Sequence, residues 1–252
     1  MKSILTLYIF FTAIGSFSQG VKPKCLDGNC RNKIGTYLYE DSSIYSGEFT
    51  DKLRNGQGKI VYKDGSYYEG TWLLDKRSGT GTYVDSKGNK YEGLWSNDKQ
   101  NGLGTLSDAI GNIYTGSWND GSLLGNVKIQ YKNNDVYEGE YVNGLNGKGT
   151  LIYADGTVYK GNWNNNMRFS YGEMIFPFGI TYKGNWSVNE VDGTGEFYET
   201  TAHKSLASGN WKTEKTKDGD LKFVNTEGYL IFCAILPLLD LKTISEIISL
   251  EL

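Results

Sequence analysis

Between Tyr45 and Trp186 aromatic and polar positions alternate in short runs, and the runs recur. Each opening run is aromatic-x-Gly-x-aromatic: Tyr68-Gly70-Trp72, Tyr91-Gly93-Trp95, Tyr114-Gly116-Trp118, Tyr159-Gly161-Trp163 and Tyr182-Gly184-Trp186. A period of two sets those three residues on one face of a strand and Glu69, Thr71 and their counterparts on the other. A glycine between two rings is expected to act as a socket, letting a ring from a neighbouring strand lie on bare backbone. The second run of each unit, such as GKIVY (58–62) or GTLIY (149–153), has the β-branched and aromatic content of a strand. Turn chemistry separates the runs, at Arg54–Gly56, Asp64-Gly65, Asn143-Gly144 and Asp155-Gly156. A helical reading fails, because glycines at this density would cost ~1 kcal/mol each relative to alanine.

The unit repeats from Tyr45, Tyr68, Tyr91, Tyr114, Tyr137, Tyr159 and Tyr182, every 23 residues except for the 22 after Tyr137. Half a unit precedes them in Gly35–Ile44, and a frayed one follows at Ser208–Trp211. Such a period marks stacked units that bury their apolar faces only against one another. The predicted fold is all-β: an elongated, single-layer antiparallel sheet of tandem hairpins over residues 35–211, advancing roughly 70 Å at ~4.8 Å per strand. The phrase resembles the MORN repeat, with its Tyr-x-Gly-x-Trp, Asn/Asp-Gly turn, Gly-x-Gly-Thr and closing Asp-Gly. That resemblance implies a twisted sheet with a groove along one face, and a scaffold that binds proteins or itself. This chain departs from the pattern at Val127 and Ser170, which replace glycines, at Phe178, which replaces the turn Asp, and in a two-residue insertion in the last unit. Those hairpins are expected to be distorted.

The ends differ from the array. Met1-Lys2, an apolar run over Ile4–Ile14 and Ser16–Ser18 read as a signal peptide over 1–18, cleaved near Ser18/Gln19, which makes this an exported, bacterial-type member. Export into an oxidising compartment, whether periplasm, cell surface or exterior, would let Cys25 and Cys30 bond across LDGN and staple a cap over 19–34. Two cysteines without further ligands make a poor zinc site, and Cys233 reads as a small buried hydrophobe. The tail, 212–252, is Leu/Ile-rich and places Leu241, Ile244 and Ile248 at helical spacing, as an end-capping strand and short helix would. Two other readings stay open for it, a membrane anchor and a segment foreign to the array.

Composition narrows the function. The chain has 33 Gly, 19 Tyr and 26 basic against 29 acidic residues, with no basic footprint for nucleic acid. Its one histidine, His203, lacks triad partners, and Glu69, Glu92 and Glu138 form a periodic exposed row rather than a contrasting acid pair. Phrases such as GTGTY (79–83) lack the Gly-Lys-Ser/Thr and helix start of a phosphate loop. We therefore expect no enzyme, no cofactor and no metal. A protein partner or homo-oligomer leads. Binding of anionic lipid ranks lower, because Lys63, Lys90, Lys132 and Lys148 are offset by acids. The third reading is a carbohydrate ladder on Trp72, Trp95, Trp118, Trp163 and Trp186, open only if those rings are not core.

Overall fold

A computed structural model describes residues 21–215, 221–225 and 230–232. The expected signal, Cys233 and the helical cap through Leu241, Ile244 and Ile248 lie outside the described residues. Among the described residues nineteen strands, β1 to β19 in chain order, run from β1 (Lys24–Gly28) and β2 (Ile34–Leu38) to β17 (Ser205–Lys215), β18 (Leu221–Asn225) and β19 (Leu230–Phe232). Each pairs antiparallel with the next in sequence, so the described residues form one open meander. Helices are absent among the described residues. At the amino-terminal end β1 adds to the sheet beside β2, and a Cys25–Cys30 disulfide closes its turn, with the two Cα atoms 6.0 Å apart.

The unit's two runs are adjacent strands, as in β3 (Ile44–Thr50) and β4 (Leu53–Val61), then β5 (Tyr67–Leu73) and β6 (Lys76–Val84). The closing turn sits where Asp64-Gly65 predicts, with Gly65 at φ +85°. The hairpin turn does not sit at Arg54–Gly56. It is the two-residue pair Asp51–Lys52, at φ 50° and 70°, repeated at Leu74–Asp75, Asn97–Asp98 and Asn165–Asn166. The Arg54–Gly56 stretch lies inside β4 as a bulge, with Gly56 at φ +105°. Gly47 faces Gly58 while Phe49 faces Arg54, so two residues of β3 span four of β4. Two extra residues, unlike one, leave the in/out alternation intact. Glu48 accepts a 2.8 Å hydrogen bond from the Gln57 amide that the bulge frees.

Register aligns the socket glycines into one row across the sheet: Gly35, Gly47, Gly58, Gly70, Gly81, Gly93, Gly104 and Gly116 each face the next. The row resumes at Gly139 and ends at Gly209 in β17. Both partial units therefore belong to it. Ser170 takes φ 59° like the bulge glycines it replaces, and Gly161 still faces Gly172, so the expected distortion does not occur there. Nor does it occur at Phe178, where Gly179 keeps φ +87° and the Phe176 and Phe178 rings stack 5.2 Å apart. The one-residue deletion behind the 22-residue spacing falls in the turn at Asn143-Gly144, where Tyr141 faces Leu145 directly.

Candidate binding groove

The aromatic face is a herringbone. Tyr68 is 0% exposed; its ring crosses its own Gly70 and reaches Gly81 on the next strand, and its hydroxyl donates to the Thr71 carbonyl at 3.0 Å. Tyr45, Tyr91, Tyr137, Tyr159 and Tyr182 repeat that bond to the residue three ahead. Each Trp donates its Nε1–H to the carbonyl of a row glycine on the preceding strand, Trp72 to Gly58 and Trp95 to Gly81 at 3.1 Å, Trp118 to Gly104, Trp163 to Gly149 and Trp186 to Gly172 at 3.3 Å. Edge-to-face contacts link Tyr68 to both Trp72 and Trp95, and Tyr91 to both Trp95 and Trp118, with centroids 5.1–5.3 Å apart. Of the aromatics singled out from the sequence, all but Tyr114 are buried. Trp72, Trp95, Trp118, Trp163 and Trp186 are all buried, which removes the open ladder that sugar stacking requires.

Arginines brace successive hairpins over this core. The Arg54 guanidinium lies 4.1 Å from the Trp72 ring and bonds Asp75 through Nε and its main-chain carbonyl. Arg77 does the same over Trp95 with Asp98. Asp98 is about half exposed, so solvent screens the pair. Asp98→Ala is expected to cost about 1 kcal/mol, read as a melting midpoint roughly 2–4 °C lower; an unchanged midpoint would mean the brace contributes nothing.

One unit breaks the herringbone. Val127 stands in the glycine row, and its Cγ1 and Leu123 Cδ1 fill the space above Gly116 that a tyrosine ring fills elsewhere. Tyr114 is displaced. It is only half-buried, and its hydroxyl donates to Asp108 Oδ2 at 3.3 Å instead of to a carbonyl three residues on. Here the expected distortion is real, and its cause is the Val127 side chain. Beside it, Tyr141 replaces the unit's Trp, and Leu145 replaces its bracing Arg.

These three departures open a groove of about 780 Å³ on the aromatic face, lined by Tyr114, Tyr131, Tyr141, Tyr153, Trp163 and Arg168 among others. Burial pushes the Tyr131 phenol up to about 12 and raises that of Tyr153, so both remain hydroxyl donors at neutral pH. Arg168 bonds the Tyr153 hydroxyl at 3.2 Å and the Asn189 carbonyl at 2.6 Å, and burial lowers its pKa. The residue in the position of Asp75 and Asp98 is Asn189, and no carboxylate lies within ion-pair distance of Arg168 among the described residues. The sequence reading missed Tyr131, Tyr141, Tyr153 and Arg168 as a set. Their signal was the misfit of one unit to its neighbours.

The opposite face carries two smaller troughs of about 640 and 540 Å³, edged by Lys59, Glu69 and Glu92 and by Glu138, Lys148 and Lys160. Glu69, Glu92 and Glu138 are exposed there, with Lys59 bonded to Glu69 at 2.9 Å and Lys128 to Glu138 at 2.7 Å. His203 is an exposed loop residue at φ 51°. Among the described residues no group of three or more His, Cys, Asp or Glu is placed to hold a metal, and no helix is long and apolar enough to cross a membrane.

A search of curated protein sequences returns no match. Among solved structures the chain is similar to the SAS-4 (dCPAP) TCP domain of Drosophila melanogaster, solved with a proline-rich motif of Ana2, at 15% identity over 65% of this chain and 90% of that one, TM-score 0.43. It is also similar to the TCP10 domain of Danio rerio CPAP, solved with a STIL peptide, at 10% identity over 84% and 98%, TM-score 0.44. A family model described as MORN repeat matches residues 45–67, 68–90, 91–113, 137–158 and 159–179. The stretch passed over, 114–136, is the unit that holds Val127 and the displaced Tyr114. The glycine row, the tyrosine and tryptophan bonds and these five phased matches agree: the chain is a MORN-repeat protein.

Proposed function

We propose that the chain is a non-catalytic scaffold that binds a protein partner through the groove of its aromatic face. The observation that carries this reading is a concave, aromatic-lined surface of about 780 Å³ on a sheet that no second layer covers among the described residues. A row of exposed β-branched residues on the other face, Ile44, Val61, Ile113 and Ile152, adds apolar surface for contact. The Cys25–Cys30 bridge supports an oxidising location, in keeping with export of the chain after loss of residues 1–18. Anionic lipid is a weaker fit, because acids and bases alternate along the outer row and neutralise each other.

Cross-linking and affinity capture in the source compartment, alongside light scattering of the purified chain, test the proposal. A specific protein, or a second copy of the chain, should be recovered stoichiometrically. A strict monomer that captures only anionic vesicles, or that turns over a substrate after exhaustive purification, would overturn it.

A further inference from the structure

The polar atoms of the groove are unequally committed. Its acceptors are engaged within the chain: Asn166 Oδ1 by the Leu145 amide at 2.7 Å, Asn189 Oδ1 by the Arg168 amide at 2.8 Å, and Asn112 Oδ1 by the Lys132 amide at 3.0 Å. Asp135 is the one acid in the lining, and both its oxygens are taken, by the Ala154 amide at 2.8 Å and by Asn133 Nδ2 at 2.9 Å. What remains is weighted toward donors, since a free phenol hydroxyl can donate or accept and a guanidinium only donates. The hydroxyls of Tyr131 and Tyr141 make no side-chain hydrogen bond among the described residues, and Arg168 has lost the carboxylate that its counterparts Arg54 and Arg77 keep. Arg168 and the exposed Lys132 against Asp135 leave one net positive charge in the lining. That balance suits a monoanion that is flat and acceptor-rich, which a carboxylate is, better than a doubly charged phosphate.

Resting on the scaffold reading above, we propose that the groove docks an extended peptide segment of the partner through one carboxylate, received by Arg168 and the adjacent phenols, with apolar residues on either side packed on the half-buried rings of Tyr141 and Tyr114. The array offers three Arg positions on this face with the same geometry. Only Arg168 both lines an open groove and lacks its own acid, so the carboxylate of the partner supplies from the groove side the negative charge that Asp75 and Asp98 supply elsewhere.

Selection from two random-peptide libraries, one with blocked and one with free C-termini, tests this on the whole chain. The selected sequences should share one acidic position flanked by apolar residues. The blocked library reports a side-chain carboxylate and the free one a terminal carboxylate. The diagnostic variant is Asn189→Asp, which restores the carboxylate of the other units and leaves groove shape and Arg168 in place. It should melt at or above the parent temperature and weaken the selected peptide at least tenfold, as should replacing the peptide's acid by its amide. Tyr141→Trp, which restores the unit's usual ring and fills the groove, should abolish binding without loss of fold. Selected sequences without an acid, no shared sequence at all, or Asn189→Asp binding within twofold of the parent would each overturn the proposal. A native partner that still binds both variants would leave the scaffold reading standing and remove only this site; no partner for any form would remove both.

Discussion

Gly81→Ala is expected to destabilise the chain by about 3 kcal/mol, the upper part of the range for forcing atoms into a filled core. An alanine Cβ at Gly81 would lie 2.5 Å from Cε2 and Cζ of Tyr68 and closer still to its hydroxyl. That ring has nowhere to go. It is fully buried, tied to the Thr71 carbonyl, and held edge-on by Trp72 and Trp95. Relief would need the ring to leave, taking the hydrogen bond and both ring contacts with it. Gly65→Ala is the proper comparison. Nothing lies within 4 Å of its new Cβ, so only the φ of +85° resists, at roughly 1–2 kcal/mol. Urea denaturation followed by tryptophan fluorescence measures both. Equal costs at the two positions would mean that the glycine row serves backbone conformation and not the seating of rings.

The second large effect is alkaline. Burial raises Tyr68, Tyr91 and Tyr159 to about 12, against the opposing pull of the Arg77 guanidinium on Tyr68, and pushes Tyr45, Tyr137 and Tyr182 up further. Each hydroxyl is a donor to a main-chain carbonyl, a bond that the tyrosinate cannot make. A phenol whose pKa rises on folding contributes its full stabilisation below the unfolded value of 10.0 and loses it as pH climbs through the folded value. The melting temperature should therefore be flat from about pH 7 to 9 and fall steeply between pH 10 and 12. The tyrosinate absorbance of these six rings should appear together with unfolding. Titration near their ordinary value, with tryptophan fluorescence unchanged, would show that the rings are not seated as described.

The period, the strand faces and the row of glycines were legible because an aromatic-Gly-aromatic phrase at period two has few other uses. The hairpin turn was not. Arg54–Gly56 carries a glycine that needs positive φ, but a bulge demands that as much as a turn does. The true turn positions include Leu74 at φ 48° and Val188 at φ 50°, residues without turn chemistry, held there by the braces to Asp75 and Asn189. The groove was hidden for a different reason. Val127 was visible as a departure, but its effect on Tyr114 depends on a register that crosses two strands. The unmatched Arg168 could have been found from the period alone, since Arg54, Arg77 and Arg168 each reach the residue 21 places ahead, and only the last meets an amide.

The displaced ring also has a consequence for how the array holds together. Its buried side chains fall into two bodies, one from Tyr45 to Trp118 and the other from Val127 to Phe223, with Leu123 touching both. In a linear array each unit draws its stability from its neighbours, so a weak junction at mid-length limits how far a perturbation travels. Damage entering from either end should be absorbed there, and the two halves can loosen on separate schedules. The cleft lies beside that junction, where the interrupted ring packing leaves room for an incoming segment.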